Sequence, residues 1–416
     1  DGSDSARATA SGASGDSADE GNVGADPFGI DTMTHVEVAP EILRWAVERS
    51  GKEPESLVRR FPKLNAWLDQ ESEPTFRQLE DFAAATYTPF GYFFLDSPPK
   101  EPLPIPDFRT RRAEALRQPS GDLLDTIYLC QQRQAWFEEF AREERLDPVR
   151  LVGSLTRETP AAEAAEAIRE AIAFDLEQRR QDHTWTDALR RIIQSAEDAG
   201  ILMMVSSVVG SNTHRKLDPE EFRGFALAHR LAPLIFVNGA DSKSAQMFTI
   251  ANELAHLALG ESALSDAEAS AFPDEATERW CNHVAAEALV PLAVFREELQ
   301  AGEPVVDATA RLARHFKVSS LVILRRMWEV RWIKNWDQFQ AAYAAEVARV
   351  RGAKPETVEG GDFYRTLGVR VSRRFEYAVV ANTLGGRTTF REAMRLLGCR
   401  RIATFDSLAQ RLGFTI

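Results

Sequence analysis

Between Phe248 and Gly260 the chain reads Phe248-Thr249-Ile250-Ala251-Asn252-Glu253-Leu254-Ala255-His256-Leu257-Ala258-Leu259-Gly260, one residue away from H-E-x-x-H. That pattern constrains a fold tightly. Two histidines four apart share one helix face, so both imidazoles reach one metal ion while the intervening Glu serves as general base. Here Asn252 holds the first histidine's position. A neutral carboxamide is a poor zinc ligand beside imidazole, thiolate or carboxylate, so the expectation is weakly bound zinc or none. Taken alone, N-E-x-x-H is short enough to arise by chance, and its plainest reading is a helix histidine hydrogen-bonded within a core.

The rest of the chain decides between these readings. Its 416 residues suffice for two or three domains, each with its own core. No apolar run approaches the length of a bilayer span, which predicts a soluble protein with no membrane partner. Cys130, Cys281 and Cys399 are odd in number and far apart, which predicts free thiols in a reducing cytoplasm and excludes a four-cysteine zinc module. The net charge of −13 is uneven: residues 1–32 carry seven acids and one arginine, whereas residues 361–416 carry four acids and ten arginines. Such a balance excludes nucleic acid held over the whole surface but permits local contacts.

Residues 1–32 are Gly, Ser, Ala and Asp with almost no large apolar side chain, and are expected to be a disordered tail ahead of Met33, a candidate start. From Pro40 the pattern predicts short amphipathic helices, Pro40–Arg49, Pro54–Arg60, Pro62–Leu68 and Pro74–Thr86, each opened by a proline that suits a first helical turn. Leu43, Trp45, Leu57, Phe61, Leu64, Leu79 and Phe82 supply a core for a helix-turn-helix domain over 33–99. Its third helix offers Lys63 and Asn65 to DNA, a small set against Asp69; a bundle kept for dimerisation or docking fits equally.

A proline-rich connector at 97–106 leads into helices at 121–144 and 160–176, within a helical region over 100–190. Over 191–350 the pattern turns to α and β. Apolar runs at 200–209, 222–229 and 233–237 read as strands, followed by the motif helix, a helix at 275–289 and two more at 306–316 and 319–334. A third ligand commonly comes from a later helix, where Glu278 is the best-placed carboxylate; Cys281 shares its face, whereas His283 points away. Beyond a polar linker, residues 361–416 predict three short arginine-rich helices broken at Gly385-Gly386 and Gly398. The fold class expected is α+β and mostly helical, with a helix-turn-helix bundle, a central zincin-like domain and a small helical C-terminal domain.

Three stretches, Gly224-Phe225-Ala226, Ala232 to Asn238 and Phe248 to Leu257, together with Glu278 to Glu287, resemble the ImmA/IrrE family of zinc peptidases. The segment from Pro40 to Pro99 is similar to the Xre helix-turn-helix half of Xre-ImmA/IrrE regulators, and Pro106-Asp107-Phe108-Arg109-Thr110 and Phe363-Tyr364-Arg365-Thr366 to further parts of long members. The resemblance implies His256 and Glu278 as metal ligands and Glu253 as the base, with Asn252 breaking the set. It further implies an antitoxin that neutralises a cognate toxin, such as a PIN-like ribonuclease, and represses its operon, with operator DNA and a second copy as other partners. Arg365, Arg373, Arg374, Arg387 and Arg391 are candidates to pair with the carboxylates of such a toxin, the bland alternative being a solvated helix face. The other reading is an active zinc metalloendopeptidase that tolerates Asn252 or recruits Cys281 or His283.

Overall fold

The computed structural model describes residues 34–107, 119–265, 276–352 and 370–415. The expected tail, Phe108-Arg109-Thr110 and the stretch holding Arg365 lie outside the described residues. The chain divides into two compact units, Asp1–Pro99 and Lys100–Ile416.

In the first unit, α1 (Pro40–Arg49), α2 (Pro54–Arg60), α3 (Leu64–Leu68) and α4 (Phe76–Thr86) precede a 3₁₀ turn at Phe90–Phe94. Proline opens α1 and α2 as the sequence predicts, whereas α3 begins only at Leu64, after a turn through Pro62 and Lys63. Thr75 caps α4 reciprocally: its hydroxyl accepts from the Gln78 amide while the Gln78 side chain accepts from Thr75 N–H. Ile42, Leu43, Leu57, Leu79 and Phe82 close the core, where Phe61, Trp67 and Phe82 meet edge-on or tilted.

The second unit is built on a four-stranded mixed sheet of β1 (Leu202–Ser206), β2 (Gly224–Leu227), β3 (Leu234–Asn238) and β4 (Ala263–Ser265), in the order β1-β3-β2-β4. β1 runs parallel to β3 with Leu202 opposite Leu234; β2 runs antiparallel to both β3 and β4. β4 is new relative to the sequence pattern, because three residues carry too little alternation to read. The proline-rich connector ends against its outer edge, where Leu264 N–H donates to Pro106 C=O at 2.9 Å. Proline suits such an edge because it has no N–H to offer beyond it.

Helices cover both faces. In chain order they are α5 (Gly121–Glu143), α6 (Ala161–Ala171), α7 (Leu176–Arg180), α8 (Trp185–Asp198), α9 (Lys243–Leu259), α10 (Ala276–Leu289), α11 (Leu292–Glu297), α12 (Val305–Phe316), α13 (Ser320–Glu329), α14 (Trp336–Gly352), α15 (Arg373–Leu384), α16 (Phe390–Leu397) and α17 (Ile402–Arg411). Alternate strand residues supply the two cores. Met203, Val205, Ile235 and Val237 pack with α6, α8, α9, α10, α12 and α13, while Leu202, Met204, Phe225, Leu234 and Phe236 pack with α5 and α15–α17. This double burial explains why the strands read as continuous apolar runs.

The stretches expected to form a connector, a central domain and a C-terminal domain therefore share one unit. Their apolar helix faces close onto the sheet rather than onto separate cores. Polar contacts bind the last helices to α5 and to α8: buried Arg133 of α5 donates to Leu396 C=O at 3.0 Å, and Arg373 N–H donates to Glu197 at the end of α8 at 2.9 Å. Beside them Glu376 is 1% exposed. Burial pushes its carboxyl up to about 7 despite Arg411, whose guanidinium lies 3.4 Å from Oε2.

Candidate functional site

The fold brings Asn252, Glu253, His256 and Glu278 together, as their spacing predicts. All four lie where α9 packs against α10, and each is at most 2% exposed. Ser242 caps the start of α9, its hydroxyl accepting from Ala245 N–H, and Gly260 ends the helix in the left-handed region at φ 75°. One turn before Glu253 on the same face, α9 presses on β2 so closely that a Cβ on Gly224 would lie 2.5 Å from Thr249 Cγ2 and 2.8 Å from Phe236 O. Glycine at 224 thus sets the depth of the motif helix, and Glu253 Oε1 is 3.4 Å from that same point.

Glu278 is the hub. Its Oε1 accepts from Asn252 Nδ2 at 3.2 Å and from Asn282 Nδ2 at 3.1 Å, while its Oε2 lies 3.1 Å from His256 Nε2. Asn252 Nδ2 also donates to Asn282 Oδ1 at 3.2 Å. The network fixes the orientation of the Asn252 amide, since the reverse placement would set two oxygens against each other. Its Oδ1 has no hydrogen-bond partner among the described residues. Asn282 was missed at the sequence level although its position, four on from Glu278, places both on one helix face.

Burial works against charging the His256 imidazole, but the Cys281 sulfur and the Glu278 carboxylate beside it outweigh that effect and hold it well above its usual range. Burial also pushes the Cys281 thiol up. The Glu278 carboxylate is then the group that balances an imidazolium. Cys281 faces the cluster and is fully buried, whereas His283 is exposed and outside it, as the helix phase predicts.

The remaining candidates lie elsewhere. Lys63 and Asn65 are exposed at the start of α3, and Arg59 and Arg60, which sequence reasoning passed over, are exposed on the last turn of α2. Arg373 and Arg391 are exposed, Arg387 pairs with Glu144 at 2.7 Å, and Arg374 lies over the Phe137 ring at 5.8 Å. Exposed Tyr377, Phe390 and Ile402 accompany them on α15–α17. Among the described residues no helix is long and apolar enough to cross a membrane.

This geometry has a counterpart among known families. Residues 196–327, from the end of α8 to α13, match the family model described as Peptidase_M78, IrrE N-terminal-like domain. An ImmA/IrrE peptidase-like domain is therefore present, with the Asn252–Glu278 cluster at its centre. Residues 371–411, which span α15–α17, match a domain of unknown function, DUF8813. No curated protein matches the chain.

Proposed function

We propose that the chain is an antitoxin-like regulator that binds and neutralises a partner without cutting it, its peptidase-like domain being non-proteolytic. One observation carries this reading: the Asn252 amide sits inside the Glu278 network as a hydrogen-bond donor. The residues present do not fit a catalytic zinc, which needs three ligands aiming lone pairs at one point and an open position for water. Both Glu278 oxygens accept hydrogen bonds, Asn252 offers N–H groups, and the cluster is closed to solvent. The same contacts suit a satisfied polar core that locks α9 to α10.

Partner binding then falls to the exposed arginines of α15–α17. Arg391 makes no ion pair among the described residues and stands next to exposed Phe390, a combination suited to the acidic cleft of a nuclease toxin such as a PIN-like ribonuclease. Arg59, Arg60 and Lys63, near one another in sequence and all exposed, extend the cation set offered to operator DNA.

The alternative, a working metallopeptidase, draws on one contact: Cys281 hydrogen-bonds His256 and could complete a His-Glu-Cys ligand set. Metal analysis of the purified full chain decides between them. The regulator reading expects far less than one zinc per chain and toxin neutralisation that survives His256→Ala. One zinc per chain, lost in both His256→Ala and Cys281→Ser, together with cleavage of the partner, would establish the enzyme instead.

A further inference from the structure

On the far side of α10 from the Asn252 cluster lies a cavity of about 750 Å³, lined by His283, Arg325, Trp328, Glu329, Arg331, Ile333 and Lys334. Its size is that of a small-ligand site. The charges on its wall are unbalanced. Glu329 is already engaged, with Oε1 accepting from Arg325 Nε at 3.2 Å and Oε2 from Arg326 Nη1 at 2.5 Å. Arg331 and Lys334 make no ion pair among the described residues, so two full cations face the cavity with no carboxylate to answer them. A helix C-terminus attracts one basic residue through its dipole. It does not account for cations converging on a cavity from α13 and from the loop beyond.

A second observation reports the same field. His283 lies on α10, a different element, and although its side chain reaches solvent it is held below its usual range by partial desolvation and by Arg325, Arg326 and Arg279, with Glu329 only partly offsetting them. The site is also preformed. Ile333 is buried, Trp332 N–H and Ile333 N–H both reach back to Met327 C=O, and Arg331 is held in the left-handed region at φ 59° with its N–H donating to Trp328 C=O. A non-glycine residue in that region costs free energy that the surrounding contacts must offset. Trp328 forms the flat part of the wall, braced from behind by Trp336 at 5.0 Å and Phe339 at 5.3 Å between ring centroids.

We propose that this cavity binds an anionic ligand with a planar ring, of the nucleotide class, its phosphates held by Arg331 and Lys334 and its ring laid against Trp328. Guanidinium and ammonium groups suit phosphate oxygens, and an indole face gives a base a stacking surface. The ligand site is separate from the Asn252 cluster and does not depend on whether that cluster cuts, binds or only packs.

Calorimetric titration of the full chain with ADP, pyrophosphate and adenosine in magnesium-free buffer tests it. ADP should bind one per chain, at least tenfold more tightly than either pyrophosphate or adenosine. The double substitution Arg331→Ala with Lys334→Ala should weaken ADP at least tenfold and leave the thermal melt unchanged, because both side chains are exposed and unpaired. No saturable heat with millimolar ADP would overturn the proposal. So would ADP binding that the double substitution leaves intact, and pyrophosphate binding as tight as ADP would remove the ring from it.

Discussion

Glu376→Gln separates the effect of a buried charge from that of shape. In the fold Glu376 is 1% exposed and its pKa is about 7, whereas the unfolded chain restores the ordinary value of 4.5. The folded state therefore binds more protons than the unfolded state between these values, and stability from this group is complete below about pH 4.5 and lost as pH rises through about 7. Each tenfold difference in proton affinity between the two states is worth about 1.4 kcal/mol, so roughly 2–3 kcal/mol disappears between about pH 5 and about pH 8.5. Glutamine keeps the shape of the protonated acid and cannot ionise. Urea unfolding followed by tryptophan fluorescence at both pH values gives the free energies, and Trp136, 5.5 Å from the Phe375 ring, reports on this region. The stability of the variant relative to the natural chain should rise by that amount as pH increases. Equal differences at both pH values would refute the argument, because they would mean that Glu376 stays neutral throughout or reaches water when it ionises.

Other substitutions bear on the site and its frame. Asn252→Ala removes both donors to Glu278 and Asn282 and should cost about 2–3 kcal/mol in urea unfolding, as buried acceptors lose their partners. Gly224→Ala should cost at least about 1–3 kcal/mol by the same measurement, since the added methyl meets Thr249 and the Phe236 carbonyl at once. Arg391→Glu with Arg395→Glu should abolish toxin neutralisation in a co-expression growth assay while leaving the melting curve unchanged, both side chains being exposed. Retained neutralisation would move the partner surface away from α16.

What the sequence made legible was local. Prolines opening α1 and α2, the Gly385-Gly386 and Gly398 breaks and the i, i+4 spacing of Asn252 and His256 are each set by a few adjacent residues, and each appears where the pattern puts it. Helix phase alone also separated Cys281 from His283. Long-range features were hidden. β4 exists only because β2 lies beside it, and α8 and α14 were passed over although Thr184 marks the start of α8 as an N-cap. The apolar stripes of α15–α17 read the same whether they close on themselves or on a sheet. Asn282 escaped notice because a neutral amide draws attention only when its partner is known to be buried.

The sheet's dependence on its last cover carries a consequence for synthesis. Much of what walls off one face of β1 and β3, α15–α17, is encoded more than a hundred positions later, and α5 on the same face is bound to it by the Arg133 contact with Leu396 across 263 residues. The first unit, Asp1–Pro99, has all its core partners in hand once it leaves the ribosome. The second cannot close until α17 has been made, and at roughly 5–20 residues per second its strands wait many seconds with one apolar side covered only by α5. A premature stop between Pro99 and α17 would therefore release a chain with a finished front unit and an aggregation-prone remainder, favouring rapid proteolysis of incomplete copies.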